Sequence, residues 1–328
     1  MESMFKSGFR SFLESSYIDF IEYGNQFIFP DYDFSVELVP AGKPVAAPAV
    51  RSIDTLHNAG PNYGSATITE DAPAVRSGDT LQDASSDAIH SVRPDTGDKV
   101  YLFEDRWWSA RDMVQERILA RLERFRSIFA RKCKVLSGRG NPAIATLVRD
   151  FLQRHHSYSS AKCRYRYALE YEGEIVAVAT FSEGRPMVRK IGSMLQNVPK
   201  EDQENADILI FDSYEWIRYA SLPGVRVVGG MGRLLNAFIE ERYTRIEPGT
   251  PLEVMTYSDS EWGSGDVYEK LGFKYAGERS PVEYFVHKGT FARYPQRLYE
   301  KELLAGASPE DFYTIRNLGS KKFLLQLL

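Results

Sequence analysis

The sequence predicts an α/β protein built on a mixed (α+β) sheet. Three observations carry that expectation. Between residues 125 and 288, runs of strand character alternate with runs of helical periodicity. Two β-rich runs, Arg164–Tyr171 and Glu174–Phe181, are split only by Glu172-Gly173, which signals an antiparallel hairpin. A third run, Ile208–Ala220, breaks at Leu222-Pro223-Gly224 and leads through Gly229-Gly230-Met231-Gly232 into an amphipathic helix with Leu234, Leu235, Phe238 and Ile239 on one face.

In chain order, residues 1–39 read as a small ordered segment. Phe9, Phe12 and Leu13 suit a short helix; Phe27-Ile28-Phe29 and Phe34, Val36 and Leu38 suit short strands around a Pro30-Asp31 turn. Residues 40–98 are rich in Ala, Pro, Ser, Asp, Gly and Thr, with four basic and eight acidic side chains over 41–98. Too few apolar groups are present to offset the entropy of ordering, so a disordered acidic insert is expected. Within it, APAVRSIDTLHNA (47–59) and APAVRSGDTLQDA (72–84) match at 10 of 13 positions. This reads as a duplicated stretch of linker, or as a doubled short motif for a partner; two copies are too few for a solenoid.

Residues 99–124 read as a basic strand–helix connector. Val100–Phe103 is a strand, Ser109 an N-cap, and Met113, Val114, Ile118, Leu119 and Leu122 one helical face. Ile128–Val135 reads as one strand. Asn141-Pro142 opens a helix with Ile144, Leu147, Val148, Phe151 and Leu152 on one side. Leu252–Tyr257 is a strand, Gly265–Leu271 a short helix, Gly272 its C-cap, and two strands follow to about His287. Residues 289–328 read as a basic extension with one or two short helices.

With 328 residues, 43% of them hydrophobic, the chain has enough apolar mass for a sizeable core. No apolar run is long enough to span a membrane, and the first residues lack a signal peptide's apolar stretch. Two cysteines, Cys133 and Cys163, make no disulfide framework, so a cytoplasmic location is expected. The net charge of −4 hides a basic segment, 106–139, with ten basic and three acidic side chains. It is a candidate nucleic-acid surface; the plainer reading is a solvated helix face carrying Arg117, Arg121 and Arg124.

Candidate chemistry concentrates in two places. Val228, Gly229, Gly230, Met231, Gly232 and Arg233 lie between a strand and a helix, where free amides and a cation suit a pyrophosphate. Arg226 stands just before. A dinucleotide fingerprint fits poorly because Leu235 occupies the place of its third glycine, and no Gly-Lys-Ser/Thr follows for a Walker loop. Tyr268, ahead of Leu271-Gly272-Phe273, is either core or a phenol aimed at a cleft. His155-His156, with Cys133 and Cys163, match no metal-site spacing, so no metal is expected; a cationic His at a helix C-terminus is the reading preferred.

The order of these elements resembles the GNAT acyltransferase fold over about 125–288, roughly half of the chain. The resemblance implies acetyl-CoA as acyl donor, its pyrophosphate held by the 228–233 turn, and Tyr268 as general acid. With Gly230 and Gly232 as the motif glycines, the family's Arg/Gln position holds Val227, and Arg226 falls one residue early. Acyl transfer needs a neutral amine, and Glu215 or Asp212 on the 208–220 strand is the candidate base. The implied activity is N-acetylation of a small-molecule or protein amine.

A second set of residues is similar to the C-terminal portion of phage homing-endonuclease-like proteins. It comprises Phe103-Glu104-Asp105-Arg106-Trp107, Phe129-Ala130-Arg131-Lys132-Cys133, Phe151-Leu152 with His156, Val228-Gly229-Gly230, Thr256-Tyr257-Ser258-Asp259, Tyr268–Phe273, Arg297 and Tyr313–Gly319. This resemblance implies a phage or mobile-element origin. On it, 26–38 is a remnant of a nuclease sheet with Asp33 or Glu37 as a faded acidic position, and no nuclease metal set is present. The alternative function is a non-catalytic module that binds nucleic acid or a protein partner through 106–139.

Overall fold

The computed structural model describes residues 3–42, 98–190, 208–245 and 250–327. The expected acidic insert and its repeat lie outside the described residues, apart from 40–42 and Asp98.

At the N-terminal end, α1 (Met4–Ser15) starts where the Ser3 hydroxyl accepts the Lys6 amide at 3.2 Å. It buries Phe5, Phe9, Phe12 and Leu13 against a four-stranded sheet of β1 (Ile21–Tyr23), β2 (Gln26–Phe29), β3 (Phe34–Val39) and β4 (Asp98–Phe103). Strands β3 and β4 run parallel, and Glu37 pairs with Lys99 across them at 2.8 Å. Next come α2 (Glu104–Ser109) and α3 (Arg111–Arg121), which bury Trp107, Val114 and Ile118. Ser109 therefore ends a helix instead of capping the next, and Ala110, with ψ 44°, is the break between them.

The expected single strand over 128–135 is two. β5 (Arg126–Phe129) and β6 (Lys134–Ser137) are separated by a 3-10 turn at Ala130–Lys132. The turn buries Ala130 and Cys133 and lets the two strands join different sheets. β5 pairs in parallel with β11 (Val225–Val228), and β6 pairs with β7 (Tyr165–Tyr171). Helix α4 (Pro142–His155) has Asn141 as N-cap, its Oδ1 accepting the Ile144 amide at 3.3 Å. β7 turns into β8 (Glu174–Phe181) through Glu172 (φ 51°) and Gly173 (φ 84°), the two positive dihedrals a type I′ hairpin requires.

With β12 (Leu252–Asp259), β13 (Lys274–Arg279) and β17 (Ser320–Leu327), the main sheet has the order β13-β17-β12-β10-β8-β7-β6, and β9 (Arg185–Lys190) pairs β10 (Ile208–Ser221). β10 and β12 (Leu252–Asp259) are its parallel neighbours. Strand alternation puts Tyr167, Ala179, Trp216 and Val254 on one face, where they pack with Leu234, Leu235 and Phe238 of α5 (Gly230–Tyr243). Ala168, Val178 and Ala220 face the other way, onto Val148, Phe151 and Leu152 of α4. The result is the mixed α/β sandwich expected of a GNAT-like core.

Residues past 287 depart from the helical expectation. β14 (Glu283–His287), β15 (Arg293–Tyr294) and β16 (Phe312–Arg316) make a separate sheet, α7 (Gln296–Leu304) follows β15, and β17 (Ser320–Leu327) enters the main sheet between β12 and β13 (Lys274–Arg279). A run such as Phe323-Leu324-Leu325-Gln326-Leu327 suits strand or helix by periodicity. Its pairing with β12 over eight residues decides for strand.

Candidate active site

The main sheet parts at its parallel pair. β10 and β12 are in register only from Asp212–Glu215 against Leu252–Met255. Beyond that, β10 pairs β8 and β12 pairs β17, and the β10–β8 register shifts between Trp216 and Arg218. Ile217 has no register partner on either side, the mark of a bulge, which bends a strand and re-aims its groups. One bond spans the start of the gap: the Thr256 hydroxyl donates to the Trp216 carbonyl at 3.2 Å.

Tyr268 stands at this gap. Gly265 (φ 94°) opens the one-turn helix α6 (Asp266–Glu269), and Gly272 (φ 88°) closes it as the C-cap expected of it. The Tyr268 ring lies 6.0 Å from that of Trp216 and 5.5 Å from that of Phe323, between centroids. Its phenol is within hydrogen-bonding reach of the Thr256 hydroxyl. Burial pushes the phenol above the usual tyrosine range, with Thr256 opposing, so it stays protonated. Both readings of Tyr268 meet here: the ring is core and the hydroxyl is at the gap.

The two candidate bases occupy opposite faces. Asp212, Tyr214 and Trp216 share the α5 face, and the Tyr214 hydroxyl donates to Asp212 Oδ2 at 3.4 Å. Asp212 sits at the far end of the paired stretch from the gap. Glu215 is the last paired residue and faces the α4 side. There it is close enough to Arg218 to raise that guanidinium against the larger, lowering effect of burial. The structure brings Glu215 to the gap and leaves Asp212 away from it.

Near Glu215, the α4–β7 connection supplies His156, Tyr158 and Ser159. The Tyr158 hydroxyl donates to Asp259 Oδ2 at 2.8 Å, and Arg218 Nε donates to the Ser159 carbonyl at 3.4 Å. His156 is the C-cap of α4, yet it is not the cation expected there. Burial first, then Arg218 and Arg117, drop it to about 3, and its Nδ1 accepts the Tyr158 amide at 3.1 Å. His155 is also lowered, by burial and Arg154, and packs on Phe151. Among the described residues no His, Cys, Asp or Glu group could hold a metal ion.

The glycine turn has a reason for each glycine. Gly229 is the N-cap of α5 at φ 75°. A Cβ on Gly230 would stand 2.9 Å from Tyr219 Oη and 3.0 Å from Val227 Cβ, and one on Gly232 3.3 Å from Leu271. Arg233 N donates to the Gly229 carbonyl at 3.0 Å, which leaves the amides of Gly230, Met231 and Gly232 as the helix's free first-turn donors. Beside them runs a groove of about 680 Å³, lined by Val228, Gly229, Gly232 and Arg233 from the expected set. Gly230 is buried and Met231 packs against the core, so neither lines the groove.

Sequence reasoning missed the groove's other wall, Phe129, Ala130, Arg131 and Val135, with Asn236 and Glu240 further along α5. The parallel pairing of β5 with β11 brings that wall over, and only a pairing between segments about a hundred residues apart reveals it. Val227 points into the core, and Arg226 stacks on the Phe125 ring at 5.1 Å. The cations of the groove are Arg131 and Arg233, and Arg233 Nε is buried with no hydrogen-bond partner.

Much of the basic segment is spent inside the fold. Arg117 lies 3.6 Å from the centroid of the Trp262 ring, Arg121 bonds to the Trp262 carbonyl and pairs with Asp98, and Arg106 lies over Tyr158. The solvated face expected of Arg117, Arg121 and Arg124 is therefore reduced to Arg124. Arg124, Arg126, Arg131, Lys132 and Lys134 are exposed, with no ion pair among the described residues.

Neither protein-family models nor curated proteins give a match to the sequence. Among solved structures, the chain is similar to the NatC complex bound to Gag peptide and CoA, at 10% identity over 60% of this chain and 99% of that one, with a TM-score of 0.32. It is similar to the ribosomal-protein-S18-alanine N-acetyltransferase from Escherichia coli, at 13% identity over 60% and 92%, with a TM-score of 0.30. A Bacillus subtilis acetyltransferase in complex with CoA gives 14% identity over 60% and 100%, with a TM-score of 0.27.

Proposed function

We propose that the chain is an N-acyltransferase that takes acetyl-CoA as donor and an amine as acceptor. The observation that carries this is the gap in the main sheet, with a protonated phenol on the α5 side and a carboxylate on the α4 side. A thioester entering from the α5 groove and an amine entering from the α4 face would meet there. The free first-turn amide of Gly232, which lines the groove, with Arg233 and Arg131, would hold the pyrophosphate. The amide of Ile217 is the candidate donor to the thioester carbonyl, since the bulge frees it from the register. Glu215, directly or through water, would take a proton from the ammonium group. The neutral amine then attacks the carbonyl carbon and forms the C–N bond, the C–S bond breaks, Tyr268 gives its proton to the departing thiolate, and the proton shed by the acylated nitrogen returns to the phenolate directly or through water.

The test is release of free CoA thiol from acetyl-CoA with a panel of small-molecule and peptide amines. Release that requires an amine, with the acetyl group recovered on it, is expected. Bound acetyl-CoA with no release by any amine would overturn the reading.

A second reading keeps the same fold as a non-catalytic binding module of phage type. The exposed Arg124, Arg126, Arg131, Lys132 and Lys134 favour it, because they cluster on and beside β5 and β6. Nucleic acid bound there would lose affinity steeply with salt. A dissociation constant that stays flat between low and moderate salt would count against it.

A further inference from the structure

The face of the main sheet under α4 holds a second cleft, of about 290 Å³, between α4, residues 160–163, β7 and β8. Its polar lining is Arg149, Ser160, Lys162, Cys163, Arg166 and Thr180, with no carboxylate. Arg166 and Thr180 are cross-strand partners, and Arg218 is Thr180's partner on the other side. With strands ~4.8 Å apart, two arginines stand about 10 Å from each other across one threonine. Arg218 turns away to the Ser159 and Ile217 carbonyls. Arg149 pairs with Asp150 at 3.0 Å. Lys162 and Arg166 have no ion pair among the described residues.

Thr180 is the second, independent sign. It is 1% exposed, and its Oγ1 has no hydrogen-bond partner. Buried hydroxyls in native structures are nearly always satisfied, and each exception calls for an ordered water, an ion or a role. Here the exception lines a cleft whose other polar groups are cations and donors.

We propose that this cleft binds a phosphate group, free or as a small ester, through Lys162, Arg166 and Thr180. Phosphate supplies acceptors to the hydroxyl and to a guanidinium fork, and its charge offsets the uncompensated cations. The volume is near the lower end of small-molecule sites, which begin at roughly 300 Å³, so it suits a phosphate with a few further atoms. The cleft faces α4, and the glycine-turn groove faces α5, so the proposal stands whether or not the chain transfers acyl groups.

The experiment is calorimetric titration of the full chain with inorganic phosphate and with methyl phosphate, acetate serving as a singly charged control, and thermal shift as a second readout. Lys162→Gln and Thr180→Val should each weaken binding by ~10-fold, as loss of a charge-assisted or otherwise unmet hydrogen bond does. Lys162 is exposed, so its variant keeps the test meaningful should Thr180→Val disturb packing. Lys301→Gln, on α7 and outside the lining of both clefts, should leave the affinity unchanged. Tighter binding of methyl phosphate points to an ester, and tighter binding of free phosphate to the ion itself; either supports the site. No binding by either readout, acetate binding equally well, or an affinity that both Lys162→Gln and Thr180→Val leave unchanged would overturn it.

Discussion

Tyr268 and Glu215 flank the gap in the sheet from opposite faces, and that placement separates their expected effects from those of Asp212. Tyr268→Phe keeps the ring among Trp216, Phe273 and Phe323, so folding and donor affinity should survive while turnover falls ~10²-fold. Glu215→Gln should lower turnover by a similar factor, and Asp212→Asn should leave it nearly unchanged; steady-state kinetics of the three variants checks this. Because burial raises the Tyr268 phenol, its ionisation should not limit turnover at the pH where a free tyrosine titrates. His156 gives a second pH test. Its folded value of about 3 lies below the unfolded value of about 6.5, so the unfolded chain binds the extra proton. Stability should fall as pH drops from 6.5 toward 3, and His156→Gln should flatten that part of the unfolding profile. At this scale the place of Tyr268, in a short helix closed by Gly272, was legible from the Leu-Gly-Phe that follows it. The neutral state of His156 was not, because Arg117 and Arg218 reach it from segments distant in sequence.

Among the elements, the glycine turn and β17 make the clearest demands. The Gly230 position has no room for a Cβ against Tyr219 and Val227, so Gly230→Ala should cost about 1–3 kcal/mol by overpacking, measured by denaturant unfolding. Gly232→Ala meets only the end of the Leu271 side chain and should cost less. Loss of acetyl-CoA binding in a Gly230 variant would thus report on the core as much as on phosphate approach. β17 fills the sheet between β12 and β13, and Phe323 is 2% exposed. Phe323→Ala should cost about 3–5 kcal/mol, and a loss near zero would deny that the strand belongs to the core. The hairpin, the strand–turn–helix and the capped helix at Asn141 were all legible, since each is set by neighbours in sequence. The division of 128–135 into β5 and β6 and the insertion of β17 were not, because both depend on pairing across distant segments.

The molecule as a whole is tied together by a buried ionic cluster. Arg293, beyond the expected core, donates to Asp105 at 2.5 and 3.2 Å and to Glu261 at 2.8 Å, all three side chains being buried. It links the segment after β12, the three-stranded sheet and α2. Removing one partner strands the others without compensation, so Arg293→Met should cost about 3–5 kcal/mol of stability in urea. Nothing in the spacing of Asp105, Glu261 and Arg293 announces this cluster; it exists only once the fold is formed. The groove beside the α5 N-terminus is proposed to receive acyl-CoA, and calorimetric titration of acetyl-CoA into the full chain is the decisive experiment. One saturable site per chain is expected, weakened ~10-fold or more by Arg233→Gln, as the loss of a charge-assisted phosphate contact requires. No binding at millimolar acetyl-CoA, or binding that Arg233→Gln leaves unchanged, would contradict it.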